Sequence, residues 1–137
     1  MHKIKVADRS LLFVYGTLKR GYNMERIAPD AVFECEATLF GFEIYNLGSY
    51  PGIKRVDHPI NDGDPTPYVH GEVWSVSDSG LARLDRYEGS AYTKIQVEVD
   101  LDDNNGLGED ETTFVSTYLY LGNVDKLQPI PDGEWNR

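Results

Sequence analysis

Leu11-Leu12-Phe13-Val14-Tyr15-Gly16-Thr17-Leu18-Lys19-Arg20-Gly21 is the stretch that decides how this chain folds. Five apolar or aromatic residues in succession predict a strand covered on both faces, and the run stops at Gly16. A loop that leaves a buried strand with two glycines can aim successive backbone N–H groups into one space, which makes an anion-binding concavity. Gly16 and Gly21 have the spacing of a phosphate loop, but Tyr22-Asn23 stands where Lys-Ser/Thr is required, so a nucleoside triphosphate site is not expected. An ordinary strand-to-loop exit fits the same residues, and the loop by itself leaves both readings open.

Outward from this stretch, the chain reads as short strands punctuated by Gly, Pro, Asn and Asp. Asn23 to Ile27 predicts a short helix limited by Pro29. Residues 34–47 predict strand with a bend at Gly41, and Ser49-Tyr50-Pro51-Gly52 predicts a turn. Residues 57–67 hold three Pro and one Gly and predict a surface loop. Strand resumes from Tyr68 to Val76. Lys94 to Val99 alternates polar and apolar residues, as a half-buried strand does. Thr112 to Leu121 predicts another strand, with Phe114, Ser116, Tyr118 and Tyr120 on one face. Asn104-Asn105-Gly106 suggests a hairpin turn between these two. One helix is well marked, with Ser77 or Asp78 as its cap and Gly89 as its end. The fold class is therefore α+β: a small mixed β-barrel or curved sheet with short flanking helices, as one domain over residues 1–137.

Composition narrows the partners. The chain has 137 residues, enough to bury a core without disulfides or metals. Its formal net charge of −10 repels phosphate backbones and anionic bilayers, so neither nucleic acid nor membrane is an expected partner. Cys35 is the only cysteine, which fits a reducing, cytoplasmic setting. Much of the acid lies between Asp100 and Glu111 and reads as a solvated loop, dispensable for chemistry.

Glu88 breaks the pattern of its helix. Leu81, Leu84 and Glu88 fall at i, i+3 and i+7 and share one face. A carboxylate turned toward the core loses water, and at a helix C-terminus it meets a negative dipole; both raise its pKa. That direction suits a group that takes and gives a proton near neutral pH. From spacing alone, the plainer reading is a Glu that curls out to solvent. Asp100, Asp102, Asn104 and Glu111 match part of a calcium loop, but Asn105 stands where Gly is needed and the flanks read as strands. His2, His58 and His70 lack ligand spacing and Cys35 lacks a partner, so no metal is expected. No Ser lies in a G-x-S-x-G elbow. Trp74 and Trp135 read as core or lid aromatics.

Taken together, these segments carry a resemblance. Val14-Tyr15-Gly16-Thr17-Leu18-Lys19-Arg20-Gly21 resembles the Y-G-[TS]-L loop of gamma-glutamylcyclotransferase-like proteins, most closely the gamma-glutamylamine cyclotransferases. Gly71-Glu72-Val73-Trp74 is similar to the family's G-x-[VL]-[WY] strand. Leu84-Asp85-Arg86-Tyr87-Glu88-Gly89, followed by Tyr92, resembles its L-D-x-[YF]-E segment, and Pro51-Gly52-Ile53 and Asp132-Gly133-Glu134-Trp135 are also similar. The resemblance implies a small mixed barrel with a cavity at the Y-G-T-L loop and Glu88 as catalytic acid/base.

The implied reaction closes the γ-glutamyl group of a small molecule into 5-oxoproline, releasing an amine or amino acid, with no cofactor. Glu88 moves the protons. The N–H groups of Gly16, Thr17 and Leu18 hold a carboxylate or oxyanion, and Tyr15 with Tyr118 or Tyr120 lines the cavity. Two alternatives stand beside it: the same chemistry on a γ-glutamyl group carried by a larger acceptor, or a small-molecule binding module of this fold without activity. The loops at 57–67 and 100–111 match no motif and leave the leaving amine open, as the sequence does the oligomeric state.

Overall fold

The computed structural model describes residues 9–16, 18–19, 23–102 and 111–135. Thr17, His2 and the Asn104–Gly106 turn lie outside the described residues. In chain order the strands are β1 (Arg9–Val14), β2 (Val32–Phe40), β3 (Phe42–Asn46), β4 (Pro51–Arg55), β5 (Tyr68–Ser77), β6 (Tyr92–Leu101) and β7 (Glu111–Tyr120). The helices are α1 (Met24–Ile27) and α2 (Asp78–Glu88), and a 3₁₀ turn, Gly89–Ala91, follows α2. Five strands close a barrel in the order β1-β5-β2-β6-β7, and β3 pairs with β4 in a separate two-stranded sheet. The barrel pairs are antiparallel except at the closure, where Leu12 of β1 meets Ser116 of β7 in parallel. The expected mixed barrel with short flanking helices is therefore the observed one.

The continuous apolar run of β1 has a simple cause, since both of its faces are covered. Phe13 joins a core with Ala37, Val69, Val73, Val99 and Val115, drawn from all five barrel strands. Its neighbours Leu12 and Val14 point the other way, into a second cluster with Met24, Trp74, Leu84 and Tyr118 beneath the helices. Burying side chains of this size stabilises by about 1.5–3 kcal/mol each. α2 is fixed at both ends. Ser77 Oγ accepts from the Gly80 N–H at 3.2 Å, and Gly89 ends the helix at φ 76°, where a residue with a Cβ is strained. Trp74 and Trp135 are both buried, as expected of core aromatics.

Two expectations need correction. The sequence predicts one bent strand over 34–47. The chain instead leaves the barrel at Gly41 (φ 85°), and β2 and β3 belong to different sheets. The sequence also predicts a turn over Ser49–Gly52, but Pro51 opens β4, with Gly52 paired to Tyr45. Pro is tolerated there because a two-stranded sheet has only edges, where a missing N–H breaks no central ladder.

Candidate active site

The end of β1, the start of the following loop, the last turn of α2 and the start of β6 converge on a cavity of about 490 Å³. Tyr15, Gly16, Leu18, Glu88 and Tyr118 all line it. Of the remaining residues expected there, Thr17 lies outside the described residues. Tyr120 is not among the lining residues; its ring packs against Tyr92 at 5.6 Å, one layer behind the wall.

Glu88 is the last residue of α2, and Leu84, one turn earlier, is fully buried against the barrel. That packing carries Glu88 inward. Burial pushes its carboxyl from the ordinary 4.5 up to about 7. The direction is the one expected from sequence, and loss of water is the cause that acts.

The polar walls are tyrosines. Tyr15 donates its hydroxyl to the Tyr118 carbonyl at 2.7 Å, and Tyr92 donates to the Pro51 carbonyl at 2.7 Å. Tyr118 donates to Asp85 Oδ1 at 2.6 Å, and Lys94, directly opposite Tyr118 across β6 and β7, reaches Asp85 Oδ2 at 3.0 Å. Asp85 thus ties α2 to the barrel three residues before Glu88. Burial, and secondarily the Glu88 charge, hold the Tyr15 and Tyr92 hydroxyls well above their ordinary range. The Tyr118 hydroxyl is raised by burial and then by its bond to Asp85. These hydroxyls stay protonated, and with the proton committed elsewhere each turns only acceptor lone pairs to other partners.

Gly16, Leu18 and Lys19 are buried. The Lys19 N–H donates to the Gly16 carbonyl at 3.0 Å, closing a turn. The Lys19 ammonium reaches the Trp135 carbonyl at 3.1 Å, joining loop and C-terminal segment. A Cβ on Gly16 would lie 2.4 Å from Pro51 Cγ, inside any permitted contact. Gly16 is therefore required by the close approach of β4 to the loop. Tyr92, Tyr50, Pro51, Tyr87 and Asn23 also line the cavity. Pro51 and Tyr92 were visible only as parts of motifs, and no periodicity marks Tyr50 or Asn23.

An ionisable group shifted toward neutrality at the wall of a cavity, beside a glycine-bearing loop, makes this the candidate site. The family model for gamma-glutamyl cyclotransferase, AIG2-like proteins matches residues 12–137, and the chain belongs to that family. An Arabidopsis thaliana protein provisionally named a gamma-glutamylcyclotransferase is 38% identical over 87 residues, covering 61% of this chain and 46% of its own length. The chain thus spans about half of that relative. A gamma-glutamylcyclotransferase family protein of Escherichia coli is 27% identical over 128 residues, covering 90% of this chain and 94% of the relative. Among solved structures, an AIG2-like protein from Mus musculus superposes with a TM-score of 0.71 at 22% identity, covering 95% of this chain and 90% of that one. A gamma-glutamyl cyclotransferase structure gives 0.65 at 23% identity, covering 88% and 69%. Both structural likenesses bear on the fold alone. No helix among the described residues is long and apolar enough to cross a membrane.

Proposed function

We propose that this protein converts a small γ-glutamyl compound to 5-oxoproline and a free amine or amino acid. The observation that carries the reading is Glu88, a carboxylic acid held near pH 7 in the cavity that Gly16 and Leu18 also line. The substrate brings its own nucleophile. Its α-nitrogen forms the new bond to the γ-carbon, and the bond from that carbon to the departing nitrogen breaks. Two protons leave the α-ammonium, one before the attack and one from the tetrahedral intermediate, and Glu88 passes each in turn to the departing nitrogen, which leaves as an ammonium, so atoms and charges balance without water.

Burial matches Glu88 to this exchange. Raising the carboxyl from 4.5 to about 7 lowers the cost of taking a proton from the α-ammonium by about 3 kcal/mol relative to an ordinary Glu. Amides of Gly16, Thr17 and Leu18 would hold the substrate carboxylate or developing oxyanion. Tyr15 and Tyr118 shape the wall. The cavity holds the chain folded with amine against carbonyl, where orientation is worth several kcal/mol.

The test is a panel of γ-glutamyl amines and γ-glutamyl amino acids, assayed for 5-oxoproline. The expected result is release from at least one compound at a rate proportional to enzyme. A folded protein that releases none would leave a binding module as the better reading.

A further inference from the structure

Three side chains far apart in sequence meet on the outer wall of the barrel, away from the cavity. Glu36 lies on β2, His70 on β5, and Asp102 directly after β6; these are three consecutive barrel strands. One ligand atom from each falls within 4.8 Å of the other two. His70 Nε2 is 3.1 Å from Glu36 Oε1. The Asp102 N–H donates to the Glu36 carbonyl at 3.0 Å, and the Thr38 hydroxyl reaches Asp102 Oδ1 at 3.5 Å. None of the three lines the cavity. His2, His58 and His70 lack ligand spacing in the sequence, yet the fold supplies His70 with two carboxylates from other strands.

Strand register gives an independent reason to expect a cation. Glu36 pairs directly with Glu72 on β5. On its other side, the pairs Ala37↔Leu101 and Thr38↔Asp100 bring Asp102 beside Glu36. Glu36 and Asp102 therefore stand side by side on adjacent strands, an arrangement in which like charges destabilise the sheet. Glu72 is buried and accepts the Trp74 indole N–H at 3.0 Å. Glu36 and Asp102 share His70 on the half-exposed side.

We propose that Glu36, His70 and Asp102 bind a divalent transition-metal ion, with Zn²⁺ the best match. One imidazole nitrogen and two carboxylate oxygens are a common zinc donor set, with metal–ligand distances of about 2.0–2.2 Å, and water completes the shell. At those distances neighbouring ligand atoms sit roughly 3–3.5 Å apart, the separation His70 and Glu36 already have. The imidazole selects against Mg²⁺ and Ca²⁺, which prefer all-oxygen shells. The ion clamps β5, β2 and β6 together and stabilises the barrel by mass action.

The experiment is calorimetric titration of the chelator-treated full chain with Zn²⁺, for wild type, His70→Ala and Glu36→Gln. Thermal melts with and without Zn²⁺ accompany each titration. The expected result is a single equivalent bound by wild type, with affinity reduced at least about ten-fold in each variant and a Zn²⁺-dependent rise in Tm in wild type alone. Metal-free melts establish that the variants fold. Should His70→Ala fail to fold, the near-isosteric Glu36→Gln decides. No binding by wild type overturns the proposal. So does unchanged affinity in either folded variant, which would assign the ion elsewhere, such as the His58–Glu43 pair at 3.2 Å.

Discussion

Replacing Glu88 by Gln should stabilise the protein, and the gain should depend on pH. The folded carboxyl titrates at about 7, raised by burial from the ordinary 4.5 that an unfolded chain shows. Between those values the folded state holds more protons than the unfolded state, so stability falls as pH rises. The stabilisation is fully present below about 4.5 and is lost as pH passes 7. A shift of this size is worth about 3 kcal/mol across the window. Gln has the same shape and no charge, so the difference between variant and wild type isolates this one group. It should be near zero at pH 4 and approach about 3 kcal/mol above pH 8, or roughly 10 °C in Tm for a chain of this length. Thermal melts of both proteins at several pH values, at fixed salt, measure it. A difference that stays flat across the range would mean that Glu88 is solvated at the end of α2. The buried-base reasoning would then fail.

Gly16→Ala should destabilise by about 1–3 kcal/mol, because the new Cβ meets Pro51 Cγ at 2.4 Å; an unchanged urea midpoint would show that β4 yields freely. Asp85→Asn should lower 5-oxoproline release more than it lowers Tm, since it weakens the charged bond to Tyr118, worth about 1.5–3 kcal/mol, that ties α2 to β7 beside Glu88. Tyr118→Phe should reproduce that loss, and the double variant should add little to it; additive losses would mean the two residues act separately. Cys35 is buried and its thiol is pushed up to about 11, so a thiol reagent should leave the native protein untouched at pH 8 and modify it once unfolded. Rapid labelling of the native chain would contradict this.

Local signals were legible where one element explains itself. α2 carries its own cap, apolar face and terminal glycine, and β6 and β7 pair along their whole lengths from Tyr92↔Tyr120 to Leu101↔Glu111. The double burial of β1 could be read from its unbroken apolar run. Features that depend on distant partners were hidden. β4 was hidden because Pro51-Gly52 has turn chemistry, and only pairing with β3 makes it strand. Barrel closure brings Leu12 of β1 beside Ser116 of β7 in parallel, which no periodicity announces. The need for Gly at position 16 comes from the close approach of Pro51, which no local pattern shows. In the site, Glu88 was visible as a charge on an apolar helix face, whereas Tyr50 and Asn23 reach the cavity through loop geometry alone. Glu36, His70 and Asp102 become neighbours only through strand order.

The central claim is that Glu88 carries the proton in a γ-glutamyl cyclisation. Initial rates of 5-oxoproline release by wild type and Glu88→Gln, on the best substrate from the panel and with both proteins verified as folded, test it most directly. General acid–base catalysis is worth about 10²–10⁴-fold, and here one group serves both proton transfers, so turnover in the variant should fall by at least about 100-fold with binding retained. A Glu88→Gln protein that releases 5-oxoproline at near wild-type rate would contradict the account.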